Sequence, residues 1–159
     1  MPLRDRLQSD IAVAMRGGDT LRRDVLRMAS SAAYNAEKRN GRPLTEDELL
    51  AVLSREVKTR RESVEAFRAG GREDLASKEE AEIAILSEYL PQPLSEAEIS
   101  ALVHEAIEAT GAGSARDMGK VMGWLSARTL GRADGKHVSE LVVEALASAD
   151  LAAHDGGAH

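Results

Sequence analysis

The chain has 159 residues, of which 43% are apolar, 3% aromatic and none cysteine, with a formal net charge of -6. The apolar share excludes a wholly disordered protein, and the missing cysteine excludes disulfides, thiolate metal sites and a cysteine nucleophile. The negative balance argues against indiscriminate coating of nucleic acid, a mode that needs broad positive potential.

Abundant Ala, Leu, Glu and Arg with few aromatics predict an all-α protein, and the absence of cysteine fits a cytosolic, cytoplasmic one. No segment approaches the roughly 20 apolar residues of a membrane span, and the stretch from Met1 to Met15 is charged at Arg4, Asp5, Arg6 and Asp10. Neither targeting nor membrane anchoring is expected. Charge is uneven along the chain: 16 basic against 17 acidic residues up to Leu90, then 5 against 10 beyond it.

Leu3, Leu7, Ile11, Ala14 and Met15 repeat at helical spacing until Gly17 and Gly18 break the run. Asp19 then reads as the cap of a long, alanine-rich helix with Leu21, Val25, Met28, Ala29, Ala32 and Ala36 on one stripe, ending before Asn40 and Gly41. Thr45 with Glu48 three residues later is a capping box, and Leu49, Leu53, Val57, Val64 and Phe67 continue a seam that Arg60 and Arg61 interrupt. The basic residues Arg55, Lys58, Arg60 and Arg61 form a secondary candidate patch for an anionic partner, weighed against the ordinary reading of a solvated, salt-bridged face. A fourth helix carries Leu75, Ile83, Leu86 and Leu90 and stops at Pro91 and Pro93.

Periodicity restarts after Ser95, again with a capping-box Glu98, so a second unit is expected. Three short helices follow, at about Glu96 to Ala109, Ala115 to Arg128 and Gly135 to Ala149. The expected organisation is a four-helix bundle over 1–90, a three-helix tail domain over 95–149, and a frayed end over 150–159.

No chemistry-bearing constellation emerges. His104, His137, His154 and His159 lack ligand spacing beside a suitable carboxylate, so no metal or cofactor is expected. The turn from Gly111 to Ser114 lacks the lysine and the preceding strand of a phosphate loop. His137 reads as a surface residue, and no catalytic triad can be nominated.

The informative stretch runs from Asp117 to Gly135. Met118, Val121, Met122 and Leu125 occupy the buried spacing of a short helix, with Gly119, Lys120 and Gly123 between them. Glycines four apart in a helix favour close packing against a neighbour; the sharper alternative is close approach of a ligand to the backbone. Lys120, Arg128, Arg132 and Lys136 would then surround that ligand with positive charge.

The run DMGKVMGWLSARTLGRADGKHVSELV resembles the signature of the GatB/YqeY family. The preceding ELLAVLSREVKTRRESVEAFRAGGREDLASKEEAEIAILSEYLPQPLSEAEI is similar to the matching segment of stand-alone YqeY-like members, and the resemblance spans Leu3 to about Ala149. Trp124 stands where a small residue is more usual. The resemblance implies a helical bundle followed by the domain that ends the B subunit of the tRNA-dependent amidotransferase, where it helps hold tRNA; the ATP-using module of that subunit is missing. It also implies similarity to units attached to some glutaminyl-tRNA synthetases. Carried over by position, Lys120 and Arg132 are the RNA-binding candidates, with Gly119, Gly131 and Gly135 shaping the backbone, and Arg128 and Lys136 are added by charge and proximity. The implied function is a non-catalytic tRNA-binding module. The alternatives are a component of a carbon-nitrogen ligase with glutamine as amide donor, and a protein-interaction domain without RNA. The implied partners are tRNA, an aminoacyl-tRNA synthetase or amidotransferase subunits.

Overall fold

The computed structural model describes the backbone of residues 1–156 and the side chains of residues 1–152. Among them there is no strand, and the protein is all-α. The helices are α1 Leu3–Gly17, α2 Thr20–Asn40, α3 Glu46–Ala69, α4 Glu73–Ser87, α5 Glu96–Thr110, α6 Met118–Thr129 and α7 Gly135–Gly156, with a 3-10 turn at Ala115–Asp117 before α6. They fall into two compact units, Met1–Pro91 and the chain from Gln92 onward.

Local chemistry sets the boundaries. Asp19 accepts from the Arg22 amide at the start of α2, while Thr45–Glu48 and Ser95–Glu98 close reciprocal capping boxes on α3 and α5. Each box satisfies amides that the first helical turn leaves without an intrahelical partner. Gly18 and Gly41 end α1 and α2 in the left-handed conformation.

The first core gathers Leu3 and Leu7 of α1, Val25, Leu26, Ala29 and Ala33 of α2, Leu49, Leu53 and Val57 of α3, and Ile85 and Leu86 of α4. The stripe on α2 is turned by about one position from the expected one. Leu26 and Ala33 are buried, whereas Leu21 and Met28 are exposed, as is Met15 on α1. In an alanine-rich helix several faces carry apolar residues, so periodicity defines the buried face only loosely.

Arg60 corrects the sequence reading more sharply. It does not interrupt the α3 seam but lies within it, 5% exposed, following Leu53 and Val57 and preceding Val64 at helical spacing. Its Nη1 donates to the Glu56 carbonyl at 3.1 Å and to the Glu56 carboxylate at 2.8 Å, and its Nε lies 3.9 Å from the buried Glu82 of α4.

Helix α4 stops at Ser87, before the expected Leu90, because the next residues are tied back to the bundle. Glu88 pairs with Arg22 at 2.5 Å, its carbonyl accepts from Arg6 at 3.2 Å, and buried Tyr89 donates its hydroxyl to Asp10 beneath the Arg6 guanidinium. Burial first, and the Asp10 carboxylate second, push the Tyr89 phenol up to about 12. The folded state therefore keeps a proton that the unfolded chain releases near the phenol's ordinary value of about 10. Stability of the first unit should accordingly fall as pH rises from about 10 to about 12, and Tyr89→Phe should remove that component from chemical denaturation measured across the window.

In the second unit Ile99, Val103 and Ala106 of α5, Val121 and Leu125 of α6, and Val138, Val142 and Leu146 of α7 form a separate core. Helix α7 runs past the expected Ala149 to Gly156, through Leu151 and two alanines that favour helix. Residues 157–159 of the end expected to fray lie outside the described residues.

Candidate functional site

Helix α6 turns Val121 and Leu125 fully inward, with Met118 and Met122 packed beside them, and presents Gly119, Lys120 and Gly123 to the outside. A Cβ built on Gly119 or Gly123 meets no atom within 4 Å. Close helix packing, the reading that spacing favoured, is therefore not supported, because none of the described residues occupies that space. The Lys120 side chain is 70% exposed, and its nearest carboxylate, Asp117, is 3.9 Å away. Asp117 is committed elsewhere. It accepts from the Gly113 amide at 2.9 Å and the Ser114 amide at 3.4 Å, and these amides, with burial opposing, hold its carboxyl below the ordinary range.

Arg128 folds onto its own helix. Its Nη1 donates to the Trp124 carbonyl at 2.7 Å and its guanidinium lies 3.6 Å from the centre of the Trp124 ring, a cation-π contact. Trp124 is half-buried against the second core and supplies a platform for Arg128.

Gly131 adopts φ +72, a left-handed conformation that closes the α6–α7 turn and that a side chain would strain. The next residue, Arg132, clamps the entry segment from both sides: its Nε donates to the Gln92 carbonyl at 2.8 Å and its own carbonyl accepts from the Leu94 amide at 2.8 Å. Part of its role is thus structural. Gly135 opens α7, and Lys136 is exposed in its first turn with its amide held by Asp134 Oδ1 at 3.1 Å.

The sequence-predicted cations do not converge. Lys120 and Arg128 lie on one helix about 12 Å apart along its axis, and Arg132 and Lys136 follow on the turn and the next helix. Gly119 and Lys120 are brought together on an open face; Arg128 and Arg132 are engaged with Trp124 and Gln92.

His137 is more than a surface residue. Its ring contacts the Glu96 carboxylate at 2.8 Å and joins the starts of α5 and α7. The Glu96 hydrogen bond, reinforced by nearby carboxylates, raises its pKa above the ordinary value of about 6.5. The associated stabilisation is complete below that ordinary value and is lost as pH rises through the raised one. An NMR titration of His137 should show the raised midpoint, and Glu96→Gln should bring it down.

The secondary basic patch loses one member to the interior and keeps three at the surface. Arg60 is buried, as described above, and only Arg55, Lys58 and Arg61 of that group are exposed. Sequence reasoning also passed over Gln92, Asp117 and Trp124 as partners of the candidate cations. The Trp124–Arg128 spacing of one helical turn was a usable signal; the Gln92–Arg132 contact, between residues distant in sequence, carried none.

A sequence model of the family described as Yqey-like protein matches residues 4–146. Among curated relatives, the chain is 34% identical over 145 residues to Altered inheritance of mitochondria protein 41, mitochondrial, of Pyrenophora tritici-repentis, covering 89% of this chain and 79% of that protein. The protein of the same name from Lachancea thermotolerans is 33% identical over 144 residues, covering 86% and 77%. The one from Saccharomyces cerevisiae is 31% identical over 87 residues, covering 54% and 47%. These names overturn the expectation of a cytosolic protein, because they designate mitochondrial proteins. The absence of cysteine could not have decided the matter, since it suits any reducing compartment. On the match across residues 4–146, the chain belongs to the Yqey-like protein family.

Proposed function

We propose that the chain is a non-catalytic tRNA-binding accessory module that uses α6 and the α6–α7 turn as its contact surface. The observation that carries this reading is the open face of Gly119, Lys120 and Gly123. Two glycines on an exposed helix each cost about 1 kcal/mol of helix stability relative to alanine, and no packing among the described residues uses the space they leave. Close approach of a sugar-phosphate backbone beside a projecting lysine does use it. Contacts of this type recognise a folded RNA by shape, which suits a surface where the one tryptophan is covered by Arg128 rather than open for base stacking. The module would serve a synthetase or amidotransferase partner that supplies the chemistry.

A salt titration of tRNA binding tests the proposal. Lys120→Ala and Lys136→Ala should each weaken binding and lower the slope of log K against log salt by about one unit, with helix content unchanged. Arg132→Ala is a poorer probe because it also releases Gln92. Loss of binding in Arg55→Ala with Arg61→Ala, with no effect of the two lysine variants, would transfer the activity to the first unit and refute this surface.

A further inference from the structure

We propose that the groove between α2 and α3 is a docking site for an acidic amphipathic helix of a partner protein. The groove encloses about 470 Å³, open to solvent, and small apolar side chains make up part of its lining beside Asn35 and Asn40: Ala32 and Ala36 from α2, Ala51 and Val52 from α3. Alanines along both walls let another helix approach its backbone closely, and an apolar stripe at helical spacing would cover them. An open trough of this kind encloses a small molecule poorly, since such ligands bury most of their surface in a concave site.

Charge identifies the occupant. In the first unit Arg4, Arg42, Arg68 and Arg72 each pair with a carboxylate. Arg39 and Arg55, which stand on α2 and α3 beside the groove, are exposed and form no ion pair among the described residues. Both carboxylates at the groove already have an arginine partner. Glu48 takes Arg42 at 2.7 Å and caps α3 through Thr45, while Glu56 takes Arg60 at 2.8 Å. The cations at the groove without a carboxylate partner among the described residues are therefore Arg39 and Arg55, whose guanidinium groups can form bidentate pairs with carboxylates. Nucleic acid suits this trough less well, since no aromatic ring lines it for stacking and two acidic side chains stand at its edge.

The experiment is selection of peptides from a displayed random library on the full-length chain, followed by fluorescence anisotropy and amide-shift mapping with the recovered peptides. The expected peptides carry Asp or Glu flanking an apolar helical stripe and shift the amides of Ala32, Ala51 and Val52. Arg39→Glu with Arg55→Glu, both exposed, should weaken them about tenfold or more, and a peptide with its acids changed to lysine should regain affinity for that variant. Ala51→Trp, also exposed, should block binding by filling the trough without changing charge, with circular dichroism verifying the fold. The inference is overturned if no peptide is recovered, if those recovered lack acidic residues, or if the shifts map elsewhere. It is equally overturned if single-stranded RNA or a second copy of the chain displaces the peptide from these amides.

Discussion

Replacing Arg60 with methionine should destabilise the first unit by about 3 kcal/mol, the lower end of the range for removing one partner of a buried ion pair. The reason lies in what remains. Glu82 is 8% exposed, and burial first, then repulsion by Glu79, already raise its pKa, with Arg60 acting against them. Without Arg60 the Glu82 carboxylate keeps its desolvation and loses its nearest cation, and Glu56 loses the partner that holds it at 2.8 Å. The native pair is itself imperfect: it spans 3.9 Å, and the buried Nε has no hydrogen-bond partner among the described residues. Hence the double variant Arg60→Met with Glu82→Leu, which removes both charges and keeps apolar volume, should recover most of the loss. The pH dependence separates this account from simple loss of packing. A carboxyl whose folded pKa is raised binds its proton more tightly in the native state, so its burial costs nothing at pH below its ordinary value and most above the raised one. The deficit of Arg60→Met should therefore shrink on acidification, and urea titrations at acidic and neutral pH measure it. A deficit independent of pH, or one that the double variant leaves unchanged, would assign the loss to cavity formation.

Arg60 also shows where the sequence was legible and where it was not. Helix ends were readable because their chemistry is local: Asp19, Thr45 with Glu48, and Ser95 with Glu98 sit within three residues of the amides they satisfy. The stripes of α5, α6 and α7 were readable because helices with a single apolar face leave little choice. Arg60 was missed since a charge in a seam reads as an interruption, although its spacing from Leu53, Val57 and Val64 places it on the buried face. Its compensation comes partly from Glu82 on another helix, which periodicity cannot reveal. The candidate site divides in the same way. Exposure of Lys120 follows from local pattern, whereas the left-handed turn at Gly131 and the engagement of Arg132 with Gln92 are seen only in the structure.

The glycines of α6 give the converse case, in which a local pattern was legible but its meaning required three dimensions. Gly119→Ala with Gly123→Ala should stabilise the second unit by about 1 to 2 kcal/mol, since each change restores helix propensity and narrows the unfolded ensemble. Neither glycine is left-handed, and the new methyl groups meet nothing within 4 Å. Packing against a neighbour would have predicted the opposite sign, through overlap. If the open face receives the sugar-phosphate backbone of RNA, the same methyl groups stand where the ligand must come close, so the more stable protein should be the weaker binder. Thermal unfolding and tRNA titration on one preparation of the double variant measure both quantities. Lys120→Ala supplies the comparison: it should change affinity and salt slope together, whereas the alanine pair should change affinity with the slope retained, because no phosphate contact is deleted. Stabilisation with unaltered binding would mean that RNA does not approach this face, and the proposed contact surface would have to be abandoned.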